Sequence, residues 1–234
     1  MAQLSIQAVD GLFSAYLAMP KLTPAPVVIV LQEILGVNAG IRRVADELAR
    51  EGFIALCPDL FWRMEPGVEL DDSVPEQWQK GISLYQAFDL DQGVADIAST
   101  ISAARAFPES TGKVGAVGFC LGGLLVFLSA ARTDLDAGVA YYGGATQDHL
   151  DEAGAIRASL MLHLAGDDEY ISRDAQQAIK AALALRGDVI IHEYPGRNHA
   201  FARYDGAHFD AADAAIANAR TYAFLRECLI DPSH

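Results

Sequence analysis

The chain opens with short runs in which apolar and polar positions alternate. Leu4–Val9 and Phe13–Met19 flank an Asp10-Gly11 pair, which predicts two strands joined as a hairpin. Pro20, Pro24 and Pro26 then mark a loop. Val27–Leu31 is a continuous aliphatic run, as expected of a strand covered on both faces in a parallel sheet. Asn38 is placed to cap a helix running to about Arg50, with Ile41, Val44, Ala45 and Leu48 on one face and Gly52 ending it. Phe53–Cys57 is a further buried strand, stopped by Pro58. Residues 61–77 carry prolines and acids with little periodicity and read as a long excursion over a pocket. Helical periodicity follows from Trp78 to Ala106, with a break near Asp89. The rest alternates. Lys113–Phe119, Ala137–Tyr142, Ser159–Leu164 and Asp188–Tyr194 read as strands, and Leu121–Arg132, Ser172–Leu185 and Asp210–Leu229 as helices. Alternation of this kind implies an α/β fold, a mainly parallel sheet with helices on both faces. No internal repeat or linker interrupts residues 1–234, so one domain is the simplest organisation.

Composition narrows the function classes. A formal charge of -14 repels phosphate backbones and speaks against a nucleic-acid partner. An anionic small molecule would need a local Arg to overcome the same background. No apolar stretch is long enough to span a membrane, and MAQLSIQAVDG lacks the basic and apolar regions of a secretory signal. Cys57, Cys120 and Cys228 are too few for a disulfide framework and fit a reducing, cytoplasmic setting. No His pair has metal-ligand spacing, so no metal and no other cofactor is expected.

The strongest chemical signal is Gly118-Phe119-Cys120-Leu121-Gly122-Gly123, placed where a strand ends and a helix begins. G-x-nucleophile-x-G is the pattern of a nucleophile elbow, a tight turn that lifts one side chain above the sheet. At a helix N-terminus the backbone N–H groups favour an anion, as a thiolate nucleophile requires. Taken alone, Cys120 also fits a small buried hydrophobe. A nucleophile needs a base, and the base an orienting acid, which in such folds follow in the order acid then His. Leu160–Leu164 empties into Asp167-Asp168-Glu169, and Val189–Tyr194 empties into a loop carrying His199. Any of the three acids fits the orienting role, and each also fits a solvated turn or helix cap. His163 and His192 lie inside strand patterns and read as hydrogen-bonded core or face residues. His149, His208 and His234 read as surface residues. Glu33 directly follows the first buried strand, where a carboxylate needs a partner; Arg42 and Arg43 are the nearest in sequence. The backbone N–H groups of Ile34 and Leu121 are candidates for an oxyanion hole. Trp62, Tyr85 and Tyr142 fit pocket walls or aromatic core equally well, and Cys57 and Cys228 are assigned to packing.

VIVLQEILGVNAGIR, LCPDLFWR, QAFDLDQGVADI, KVGAVGFCLGG, VAYYG, LAGDDEYI and NHAFAR occur in that order along nearly the whole chain. Together they resemble the dienelactone hydrolase family of α/β-hydrolases. The resemblance implies Cys120 as nucleophile, Asp168 as acid and His199 as base, with Glu33 holding the resting thiol and accepting its proton. It implies Ile34 and Leu121 as oxyanion donors and Arg203 as the ligand of a substrate carboxylate. Without it, Arg203 reads as an exposed loop charge. The sequence departs from the family at the carboxylate grip. Trp78 stands where a second arginine is usual, with Lys80 nearby but lacking the planar fork of Arg. Ile82 replaces a tyrosine, Tyr85 takes a neighbouring aromatic position, and Ala200 replaces a serine after the histidine. The implied activity is therefore lactone or small-ester hydrolysis of the dienelactone-to-maleylacetate type, on a substrate less anionic than dienelactone, by a monomer or weak homo-oligomer. The competing readings are a non-catalytic small-ligand binding protein on the same scaffold and a redox protein using Cys120, the latter weakened by the lack of a nearby resolving cysteine.

Overall fold

The computed structural model describes residues 2–230. Its eight-stranded sheet comprises β1 (Ala2–Gln7), β2 (Leu12–Ala18), β3 (Ala25–Leu31), β4 (Ile54–Pro58), β5 (Ser110–Phe119), β6 (Ala137–Tyr141), β7 (Ser159–Ala165) and β8 (Val189–Tyr194), in the order β1-β2-β4-β3-β5-β6-β7-β8. The β1–β2 hairpin is antiparallel and joins β4 antiparallel, while every pairing from β4 to β8 is parallel. The helices are α1 (Ala39–Arg50), α2 (Pro75–Ala87), α3 (Leu90–Ala106), α4 (Leu121–Arg132), α5 (Arg173–Leu183) and α6 (Ala211–Leu229). This is the expected α/β-hydrolase architecture. His234 lies outside the described residues.

Local chemistry explains the boundaries. Asn38 Oδ1 accepts from Ile41 N–H at 3.2 Å and caps α1. Asp89 caps α3, and that cap is the expected break between α2 and α3. Helix α2 starts at Pro75, three residues before the expected Trp78, because proline is pre-organised for the first helical position. Every residue of β3 is buried, as a strand covered on both faces must be. The two faces separate at a pair of glycines. Gly115 lies against Leu225 and Leu229 of α6, whereas Gly138 lies against Val126 of α4. Gly138 pairs with Ala116, one step along from Gly115, so the two glycines point to opposite sides.

Two expectations become specific. Trp62 takes the aromatic-core alternative: its ring stacks on Phe13 of β2, its Nε1 donates to Asp96 at 2.9 Å, and it packs a small cluster of Ile6, Ala8, Phe13 and Ala15. The excursion at 61–77 borders a cavity through Leu70, Asp71 and Asp72, while its preceding residues pack down. Glu69 bridges Gly36, and Leu70 N–H donates to Leu35 C=O at 2.9 Å. Val68 and Leu70 are buried, so the excursion packs down on the turn that follows β3. No helix among the described residues is long and apolar enough to cross a membrane.

Candidate active site

Cys120 sits between the end of β5 and the start of α4 with φ 54° and ψ -114°, a strained conformation for a residue with a Cβ. Three glycines make the turn possible. A Cβ on Gly118 would lie 2.1 Å from Gly122 O, one on Gly122 2.3 Å from Leu31 O, and one on Gly123 2.6 Å from Tyr141 O. No side chain fits in those gaps. The first turn of α4 is thereby pressed against the chain leaving β3. Leu121 is the first residue of that helix, so its N–H has no acceptor within the helix. Ile34 sits at the second position of a turn closed from Gly36 N–H to Glu33 C=O at 3.4 Å. Gly81 of α2 packs on the Ile34 carbonyl, since a Cβ there would lie 2.9 Å away.

Asp168 and His199 arrive on the loops after β7 and β8. His199 Nδ1 lies 2.9 Å from Asp168 Oδ2 and 3.1 Å from Oδ1. Oδ1 also accepts from Tyr170 and Ile171 N–H at 2.8 and 3.0 Å. The imidazole is almost fully buried, and burial alone would push its pKa down. The hydrogen bond to Asp168, with the nearby Cys120 sulfur, outweighs burial and raises it to about 10. Nε2 lies close enough to Cys120 for that influence, yet among the described residues it has no hydrogen-bond partner of good geometry. The neighbouring acids point elsewhere. Asp167 pairs with Arg173 at 2.7 Å, and Glu169 faces Asn198 and His208. His163 is buried between Tyr194 Oη and Thr221 Oγ1, with His192 stacked on its ring. His208 is exposed, and His149 is half-buried.

Glu33 pairs with neither Arg42 nor Arg43. Its two oxygens accept from Arg203 Nε and Nη2 at 2.6 and 3.0 Å, while Arg203 Nη1 donates to Asp72 Oδ2 at 2.7 Å. Arg203 is therefore no exposed loop charge: only 13% of its side chain is accessible. Burial opposes its positive charge, but Glu33 more than compensates and raises its pKa. A cavity of about 310 Å³ opens beside this pair, bounded by Glu33, Asp72, Tyr142, Arg203 and Tyr204. It lies to the side of Cys120, which is not among its walls. Trp78 packs against the core from α2, and Lys80 is tied to Glu65 at 2.6 Å. Tyr85 is more than a third exposed. No group of three or more His, Cys, Asp or Glu side chains among the described residues is arranged to hold a metal ion.

Three features escaped the sequence reading. Asn198 Oδ1 accepts from Glu169 N–H at 2.9 Å and from His199 N–H at 2.6 Å, so it stitches together the loops that carry Asp168 and His199. Tyr170 stands edge-on to the His199 ring, with centroids 4.9 Å apart. Asp72 closes on Arg203. The only sequence signal for Asn198 is its place beside His199, and the other two depend on loops that meet only in the fold.

Tyr142 is fully buried yet borders the cavity beside Arg203, with φ 37° and its ring 5.0 Å from that of His199. Among the described residues its hydroxyl has no hydrogen-bond partner. A buried unsatisfied hydroxyl costs about 1–3 kcal/mol. Tyr142→Phe deletes only that group, so thermal melting should show an unchanged Tm or a rise of a few degrees. A fall in Tm would show that the hydroxyl is bonded in solution.

Residues 13–229 match the model of the dienelactone hydrolase family. Carboxymethylenebutenolidase 1 of Cupriavidus pinatubonensis is 39% identical over 223 residues, covering 95% of this chain and 94% of the relative. Carboxymethylenebutenolidase of Pseudomonas putida is likewise 39% identical, with the same coverage. Among solved structures, a dienelactone hydrolase-like promiscuous phosphotriesterase from metagenomic libraries superposes with a TM-score of 0.80 at 22% identity, covering 97% of this chain and 98% of that one. At that identity it speaks to the fold alone. The chain belongs to the dienelactone hydrolase family and is an α/β-fold hydrolase of carboxylic esters.

Proposed function

We propose that the protein opens a lactone or small carboxylic ester through an acyl-enzyme on Cys120, with His199 as base and Asp168 as the orienting acid. The observation that carries this reading is the unpaired Nε2 of a buried, Asp168-bound imidazole beside a cysteine on a strained elbow. In the first step Cys120 Sγ attacks the carbonyl carbon, and the Ile34 and Leu121 N–H groups receive the oxyanion. The C–O bond to the leaving alkoxide then breaks, and His199 imidazolium delivers a proton to that oxygen. Water next attacks the thioester, giving its proton to His199 Nε2, and the sulfur departs as thiolate with release of the acid. For a lactone the product is a single hydroxy acid; opening of dienelactone to maleylacetate is a reaction of this type. The thiol proton passes to His199 Nε2 as the sulfur attacks, while both Glu33 oxygens remain on Arg203. In this reading the carbonyl group of the substrate stands over Cys120, with Tyr85 and Trp78 of α2 on one flank.

The test is a screen of lactones, including 4-carboxymethylenebut-2-en-4-olide, and of aryl acetates. Turnover that disappears after Cys120 is alkylated is expected. No turnover of any member, in protein whose Cys120 thiol still titrates, would overturn the reading. A shift in Tm with ligand and no product would instead favour the non-catalytic binding protein.

A further inference from the structure

The family resemblance implies Arg203 as the ligand of a substrate carboxylate, but its side chain is already committed. Nε and Nη2 serve Glu33 and Nη1 serves Asp72. Two carboxylates face one guanidinium, so the group carries an excess negative charge. An incoming carboxylate would have to displace Asp72 and be desolvated beside Glu33. The other nearby cations are engaged as well: Lys80 with Glu65, Arg42 with Glu69 and Arg43 with Glu47. The whole chain adds its net charge of -14 to this local field.

The approach to Cys120 has a different character. Tyr170 stands edge-on to His199 and is 57% exposed, and Tyr85 is 37% exposed. Burial raises both phenol pKa values, with a smaller contribution from the Cys120 sulfur. Exposed aromatic faces at a site mouth favour flat, apolar groups over ions.

We propose that Asp72 is a specificity-determining residue that occupies Arg203 and turns the site toward uncharged lactones and aryl esters, against substrates bearing a carboxylate. The inference rests on the lactone and ester hydrolysis proposed above. It separates two substrates of one shape: methyl 4-acetoxybenzoate, which is neutral, and 4-acetoxybenzoate, which is an anion.

The experiment measures kcat/KM for both esters, each normalised to its rate of hydrolysis by hydroxide. The neutral ester should be preferred about tenfold or more at low salt. The preference should shrink as ionic strength rises, because salt screens the repulsion. Asp72→Asn should lower the preference about tenfold by freeing one edge of Arg203. Equal or better use of the anion by the unaltered protein would overturn the proposal. So would a preference that Asp72→Asn leaves unchanged, whatever salt does to it. If that variant does not fold, Asp72→Ser is measured in its place, with the same two outcomes. Absence of turnover with both esters would overturn the hydrolytic reading itself, and this inference with it.

Discussion

Cys120→Ala should reduce kcat/KM for aryl acetates by about 10⁴-fold or more, the scale expected when a covalent nucleophile is removed. The size follows from what the side chain alone supplies. The backbone donors at Ile34 and Leu121 would remain, and binding at the mouth would remain, but no thioester could form. The fold should persist, because Cys120 is half-buried and its tight turn is set by Gly118, Gly122 and Gly123. Cys120→Ser should also retain little activity. An alcohol beside the same imidazole is a far weaker acid than a thiol, so its proton is harder for His199 to remove during attack. Steady-state kinetics on both variants, with circular dichroism to verify folding, checks the prediction. Activity within tenfold of the unaltered protein for Cys120→Ala would rule out a covalent role for the sulfur.

Asp168→Asn is expected to have the next largest effect, a loss of about 10⁴-fold in kcat. The amide keeps the shape of the carboxylate and its bonds from Tyr170 and Ile171 N–H. It removes the negative charge that offsets burial of the imidazolium, and it can offer Nδ1 an N–H and so select the wrong tautomer. The same substitution has a signature in stability. His199 is raised from 6.5 to about 10 in the folded protein. A group with a raised folded pKa contributes stability that is fully present below its unfolded pKa and is lost as pH rises through the folded value. Unfolding free energy should therefore decline between pH 6.5 and about 10 through His199. The decline should be shallower in Asp168→Asn, as read by chemical denaturation at several pH values. Equal slopes in the two proteins would show that Asp168 does not hold the proton on His199.

What could be read from the sequence follows the range of the forces involved. The β3 run, the Asn38 cap and the glycines around Cys120 are short-range instructions, and the structure forms each of them. The choice among Asp167, Asp168 and Glu169 needed either the family resemblance or the coordinates. All three are carboxylates on one turn, and only their direction separates them: Asp167 reaches Arg173 while Asp168 turns inward to His199. Trp62 was ambiguous for a similar reason. An aromatic after a strand fits a pocket or a core, and its partner Phe13 lies across the antiparallel hairpin. The largest gap concerns charge. Arg203 and Glu33 are 170 positions apart, and Arg203 and Asp72 are 131 apart. No local pattern announces that one guanidinium is shared between them, and substrate preference depends on that sharing.

Rapid acid quenching during turnover of an aryl acetate, followed by peptide mass mapping, tests the central chemistry most directly. One acetyl group should appear on the peptide containing Cys120, grow in before product release reaches steady state, and be absent from the Cys120→Ala protein. Continued release of the phenol while that peptide remains unmodified at every time point would contradict the thioester mechanism.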